Sequence, residues 1–210
     1  MAFSVSPALE VEDLGRTDYL SAGRRMAEVL AERVAGHGPD RLLLAEFEPV
    51  LTVGRGADPA RYAEAGIPVH AVERGGKATF HGPGQLVAYP VVRLEEGVRD
   101  LHAYLHALED GLISCVGDFG LAGGRDPRNT GCWVGGRKVA SIGVAVRRWV
   151  TWHGVALNVS TDLGWFRRFD PCGLEPEVMT SMERELGGTA PDFGAVRESL
   201  ANRLSEALRA

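Results

Sequence analysis

Only two of the 23 Lys and Arg residues are lysines, Lys77 and Lys138. Arginine keeps its proton under ordinary conditions, whereas lysine releases its proton when its surroundings depress its pKa. Both lysines lie in or beside glycine-rich segments and not on amphipathic helices, which marks them as candidates for chemistry. A further candidate is Cys172, set between Pro171 and Gly173. A free thiol with a pKa of about 8.5 is only a few per cent thiolate at neutral pH, so a cysteine nucleophile needs a nearby cation or base. His81, His153, Lys77 and Lys138 are the available partners, and spacing along the chain does not choose among them. Cys115 and Cys132 read as packing cysteines. His102 and His106 stand one helical turn apart without the acidic or cysteine partner of a metal motif, so no metal is expected there.

These groups need elements to hold them. Residues 74–85 gather glycines, Pro83, Arg74, Lys77 and His81 directly before an apolar run, which implies a sharp turn or a close approach to the backbone. The opening residues, to about Val11, read as a strand or an extended arm, and short apolar runs at 42–47, 50–53 and 68–72 predict strands. Pro90, inside the next run, predicts a bulged or edge strand. Met26, Val29, Leu30 and Val34 predict a helix over 17–35. A second helix follows from Leu101, Leu105, Leu108, Leu112, Val116 and Phe119, and a last one from Phe193, Val196, Leu200, Leu204 and Leu208. From 132 to 159 the pattern alternates. Ser141, Gly143 and Ala145 share one face of a strand, and Gly154, Ala156 and Asn158 share one face of the next. On pattern alone the preferred account is close packing of a helix on small residues; the alternative is a slot for an extended chain or flat ring. Residues 162–182 read as a long, aromatic loop.

Composition narrows the class. The net charge of -5 gives no support to nucleic-acid binding. No segment reads as a signal peptide or a membrane span. The odd cysteine count points to a reducing compartment, so a cytoplasmic protein is expected, with one domain over 1–210.

Four motifs in order resemble the lipoyl(octanoyl) transferase family. They are Arg74-Gly75-Gly76-x-x-Thr79-Phe80-His81-Gly82-Pro83-Gly84-Gln85; Gly135-x-x-Lys138-x-x-Ser141-x-Gly143; His153-Gly154-x-Ala156-Leu157-Asn158; and Pro171-Cys172-Gly173. Residues 46–55 also resemble an early family segment. Phe80 stands where the family usually has tyrosine, and Phe47-Glu48 replaces a common His-Pro.

The resemblance implies an α+β fold, a mixed β-sheet flanked by helices, similar to the catalytic domains of lipoate and biotin protein ligases. It implies transfer of an octanoyl group from octanoyl-acyl carrier protein to the target lysine of lipoyl domains, those of 2-oxoacid dehydrogenases and the glycine cleavage H protein, with no cofactor. By position, Cys172 is similar to the cysteine that carries the acyl group and Lys138 to the lysine beside it. The family's acyl-substrate segments correspond to Arg74, Gly75, Gly76, Lys77, Ala78, Thr79, Phe80 and His81; to Ser141, Ile142 and Gly143; and to Gly154, Val155 and Ala156. Rival readings are an ATP-dependent lipoate or biotin ligase, which does not need Cys172, and a non-catalytic module that binds acyl carrier protein or a lipoyl domain. Acidic partners would favour a docking face that includes Arg147, Arg148, Arg167 and Arg168.

Overall fold

A computed structural model describes residues 9–96, 99–168 and 175–209. The chain begins with β1 (Glu10–Thr17), α1 (Tyr19–Val34), β2 (Arg41–Phe47), β3 (Val50–Val53), β4 (Val69–Ala71), β5 (Ala78–His81) and β6 (Gln85–Val91). It continues with α2 (Leu101–Asp118), β7 (Gly123–Gly124), β8 (Gly131–Val134), β9 (Arg137–Arg147), β10 (Val150–Asn158), α3 (Met182–Glu185) and α4 (Phe193–Ala207). Seven strands form a mixed sheet in the order β1-β2-β6-β10-β9-β8-β7, and β4-β3-β5 form a small second sheet. The expected α+β class, a mixed sheet flanked by helices, holds.

The helices form where the apolar stripes lie, and aspartates start them. Asp18 caps α1 through Ser21 N–H, Asp100 caps α2, and Asp192 caps α4. Gly36 and Gly120, both in the left-handed region, follow the ends of α1 and α2. Helices α2 and α4 cover one face of the large sheet, and α1 covers part of the other. Where α2 meets α4, a Cβ on Gly111 would lie 2.8 Å from Leu204 Cδ2, so this glycine sets how closely the two approach. The inward face of α2 is rotated from the stripe read in the sequence. Leu108, Leu112 and Val116 are fully buried together with Tyr104 and Cys115, while Leu101 is exposed.

Three expectations need correction. Strand β6 is not an edge strand, for it lies between β2 and β10, and Pro90 pairs with Leu42 on the β2 side. The missing donor falls where the β10 ladder has stopped, since pairing ends at Val155–Ala88 and Pro90 O instead accepts from the Thr151 hydroxyl. Strand β1 runs to Thr17, beyond the strand or extended arm read to about Val11. It pairs parallel to β2 but alternates poorly in burial and shifts register between Asp13 and Arg16, beside left-handed Gly15. The segment 162–182 is not a plain loop: Leu163–Arg167 and Pro176–Val178 are 3-10 turns, and α3 begins at Met182.

Candidate active site

The glycine-rich stretch folds around its own arginine. Arg74 is buried; its Nη1 donates to the carbonyls of Gly75 and Lys77, and its Nη2 to Thr52 O and Thr52 Oγ1, each at 2.9 Å. The loop therefore curls over a guanidinium bound to backbone oxygens. Gly54 and Gly56 let the strand below come close, because a Cβ on either would lie within 3 Å of Gly76 O. Gly75 N–H donates to Val144 O at 3.0 Å, which ties the loop to the middle of β9. There Gly143 faces Gly154 across the hairpin, and Ser141 faces Ala156. A Cβ on Gly143 would lie 2.9 Å from Arg74 Cδ, and one on Gly154 would run into Ala88 O and Pro90.

The small-residue faces thus open onto a cavity of about 290 Å³, whose further lining includes Tyr19, Thr52, Thr79, His81, Tyr89 and Asn129. This overturns the preferred sequence account: the small residues do not chiefly serve a helix, and a slot lies above them. Of the segments singled out, Arg74, Gly75, Gly76, Lys77, Thr79, His81, Ser141, Ile142, Gly143, Gly154, Val155 and Ala156 all line it. Ala78 and Phe80 alternate away and join a small core with Leu51, Val53 and Phe166, the Phe80 ring stacked on Trp165 at 5.2 Å.

Polar groups at the floor are directionally fixed. Asn158 Nδ2 donates to Thr180 O, so its Oδ1 accepts from Gln85 Nε2, and Gln85 Oε1 is left to accept from His81 Nδ1 at 2.7 Å. His81 therefore carries its proton on Nδ1. Burial holds its pKa down, to about 4, and that of His153, to about 3, where the Arg74 charge adds to the effect. Both rings are neutral at pH 7. His153 sits at φ 58°, its N–H meets Met26 Sδ at 3.4 Å, and its buried Nε2 has no hydrogen-bond partner. Beside Arg74, whose guanidinium is held by backbone carbonyls, and exposed Lys77, the cavity is lined by neutral rings, glycine backbone and apolar side chains, and that side suits an apolar extended group.

Lys138 is fully buried beside this wall, with Nζ 2.5 Å from Asn129 Oδ1. Opposite β8, Cys132 faces Ala140 and Trp133 faces Lys138, so β9 bulges at Val139 and re-aims the lysine. Lys138 O accepts from Thr180 N–H at 3.0 Å, which brings the chain after Glu175 back against the lysine. Cys172 and Phe169 lie outside the described residues. Cys115 and Cys132 are packing cysteines: both are buried, and burial raises their thiols to about 11 and about 12. His106 does have an acidic neighbour, Glu109 at 3.0 Å, but Arg125 already holds that carboxylate. Among the described residues, no cluster of three His, Cys, Asp or Glu side chains fits a metal. None of the described helices is long and apolar enough to cross a membrane. Arg147, Arg148, Arg167 and Arg168 are exposed. Asn129, Tyr19 and Tyr89 escaped the sequence reading, since nothing periodic or glycine-rich marks them.

A family model described as the lipoyl protein ligase A/B catalytic domain matches residues 18–205. The chain belongs to that family. Within the lipoyl protein ligase A/B family, a relative from Geobacter metallireducens called octanoyltransferase is 47% identical over 193 residues, covering 92% of this chain and 90% of its own length. Among solved structures, the bipartite lipoate protein ligase of Thermoplasma acidophilum, studied with its E2 lipoyl domain, superposes with a TM-score of 0.72 at 16% identity, covering 95% and 83% of the two chains. A biotin protein ligase of Aquifex aeolicus gives 0.53 at 14% identity, covering 95% and 70%. At such identities these two share the fold.

Proposed function

We propose that the protein is an acyltransferase that moves an octanoyl group from octanoyl-acyl carrier protein to the target lysine of lipoyl domains, in lipoate biosynthesis. The observation that carries this reading is the 47% identity to an octanoyltransferase across nine-tenths of both chains. The small-residue cavity, with buried Lys138 bonded to its lining residue Asn129, supports it. The reading takes residues 1–210 as one catalytic domain acting in the cytoplasm, with lipoyl domains of 2-oxoacid dehydrogenases and the glycine cleavage H protein as acceptors.

In the first step Cys172, as thiolate, attacks the octanoyl carbonyl. A new C–S bond forms, the bond to the carrier sulfur breaks, and the carrier thiolate takes a proton. In the second step the acceptor lysine's amine attacks the acyl-enzyme, an amide forms and Cys172 leaves as thiolate. Lys138 as ammonium stabilises the thiolate; as amine it takes the proton shed by the incoming lysine. The octanoyl chain occupies the slot over Gly143 and Gly154, and the exposed arginines receive the acidic carriers.

Intact mass spectrometry after mixing with octanoyl-acyl carrier protein, without ATP, tests this directly beside a Cys172→Ser control. The expected result is an octanoyl adduct on the wild type alone, removed by hydroxylamine. Lipoyl-domain modification only with ATP and free octanoate would assign the protein to the ligase branch of its family.

A further inference from the structure

Asn129 stands in the turn between β7 and β8. Its side chain lines the cavity, and its Oδ1 meets Lys138 Nζ at 2.5 Å. An ammonium has only donors, so the oxygen end of the amide faces it. The turn holds that oxygen still. Asn129 N–H donates to Asp126 O at 3.3 Å, and its carbonyl accepts from Trp133 Nε1 at 3.0 Å. Two residues on, Gly131 N–H donates to the buried Glu109 carboxylate at 3.1 Å. Arg128 lies over the Trp133 ring at 4.4 Å.

Glu109 pairs with Arg125, Glu185 with Arg137 and Asp126 with Arg128. Asn129 Oδ1 gives Lys138 Nζ a neutral acceptor. An amide oxygen fixes an ammonium without cancelling its charge, whereas a carboxylate would form an ion pair with it. Room is provided at Gly131, where a Cβ would lie 2.8 Å from Lys138 Cε.

We propose that Asn129 is the positioning residue of Lys138, holding its Nζ in place beside the cavity. The proposal rests on Lys138 serving the acyl-transfer step.

With two lysines in the chain, protein labelled with ¹³C at lysine Cε gives two side-chain signals, and Lys77 at the exposed mouth is the internal control. Losing a hydrogen bond to the charged form lowers a lysine's titration midpoint, and a new negative charge raises it. In Asn129→Ala the Lys138 midpoint is expected to fall by about half a pH unit or more, and in Asn129→Asp to rise. The kcat of octanoyl transfer falls about tenfold in Asn129→Ala with KM for the acyl donor unchanged, and the alkaline limb of the pH profile moves with the signal. A Lys138 midpoint unmoved in both variants overturns the proposal, and so does a moved midpoint with unchanged kcat. If Asn129→Ala does not fold, the isosteric Asn129→Asp carries the comparison alone. A moved midpoint in a protein that forms no adduct on Cys172 would retain the Asn129–Lys138 coupling and overturn the transfer reading instead.

Discussion

On β6 and β10, Leu86, Ala88 and Leu157 pack with α2 and α4, Val87, Tyr89, Gly154 and Ala156 line the cavity, and Val155 touches both. Strand alternation sends successive side chains to opposite faces, so the same strands build two different environments. The α2–α4 face is filled with aliphatic side chains such as Leu108, Leu112, Leu200 and Leu204, each fully buried. The cavity face carries glycine, alanine, serine, two neutral histidines and the Arg74 clamp. One face supplies the burial that holds the fold. The other gives up packing to keep a slot open; Arg74 binds Thr52 and His81 binds the Gln85–Asn158 pair, while His153 Nε2 has no hydrogen-bond partner.

The largest expected effect lies on the packed face. Leu200→Ala should lose about 2–5 kcal/mol in urea denaturation, because it leaves a hole among immobile neighbours, with activity per folded molecule retained. A loss below 1 kcal/mol would show that this face is loosely filled. On the cavity face, Ala156→Leu should lower octanoyl transfer about a hundredfold by displacing the acyl chain, while stability changes by less than about 2 kcal/mol. Equal loss of stability and unaltered transfer would erase the distinction between the faces.

The third prediction concerns pH. His81 and His153 have folded pKa values of about 4 and about 3, below the ordinary 6.5, chiefly because they are buried. The unfolded chain therefore binds protons that the folded chain refuses. Stability is fully present above about 6.5 and is lost as pH falls from there toward the folded values. Between pH 6.5 and 5 each histidine should cost about 2 kcal/mol, so the denaturation midpoint drops steadily and His81→Asn flattens the slope by about half. A midpoint that does not move across this range would mean that the histidines are solvated in the folded state. The smallest effect is expected at Leu101, apolar and on α2 but 39% exposed. Leu101→Ala should change stability by about 0.5 kcal/mol or less, which separates the true inward face of α2 from the stripe drawn in sequence.

Much of the helix packing on both faces was legible because it rests on repetition. Met26, Val29 and Leu30 on α1 and Val196, Leu200 and Leu204 on α4 recur at helical spacing and are buried. Strand β1 was less legible, since its polar residues Glu10, Glu12 and Asp13 show no alternation and only pairing with β2 makes it a strand. Pro90 misled for a related reason: a proline is tolerated mid-sheet only where the neighbouring ladder has ended, and that depends on β10, some sixty residues away.

By itself the sequence determined the long helices, through local periodicity, and the glycine-flanked segments that form the cavity, through motif spacing; the resemblance those motifs carry implied the family and its mixed sheet with flanking helices. It also marked Lys138 by the scarcity of lysine. Only the tertiary structure decided that the small faces enclose a slot, that Ala78 and Phe80 turn away from it, and that Asn129 meets Lys138. Those facts depend on which elements pack together. A face of small residues reads the same whether a helix or a void lies above it, and a hydrogen bond between neighbouring strands is set by a bulge and a turn that no period records.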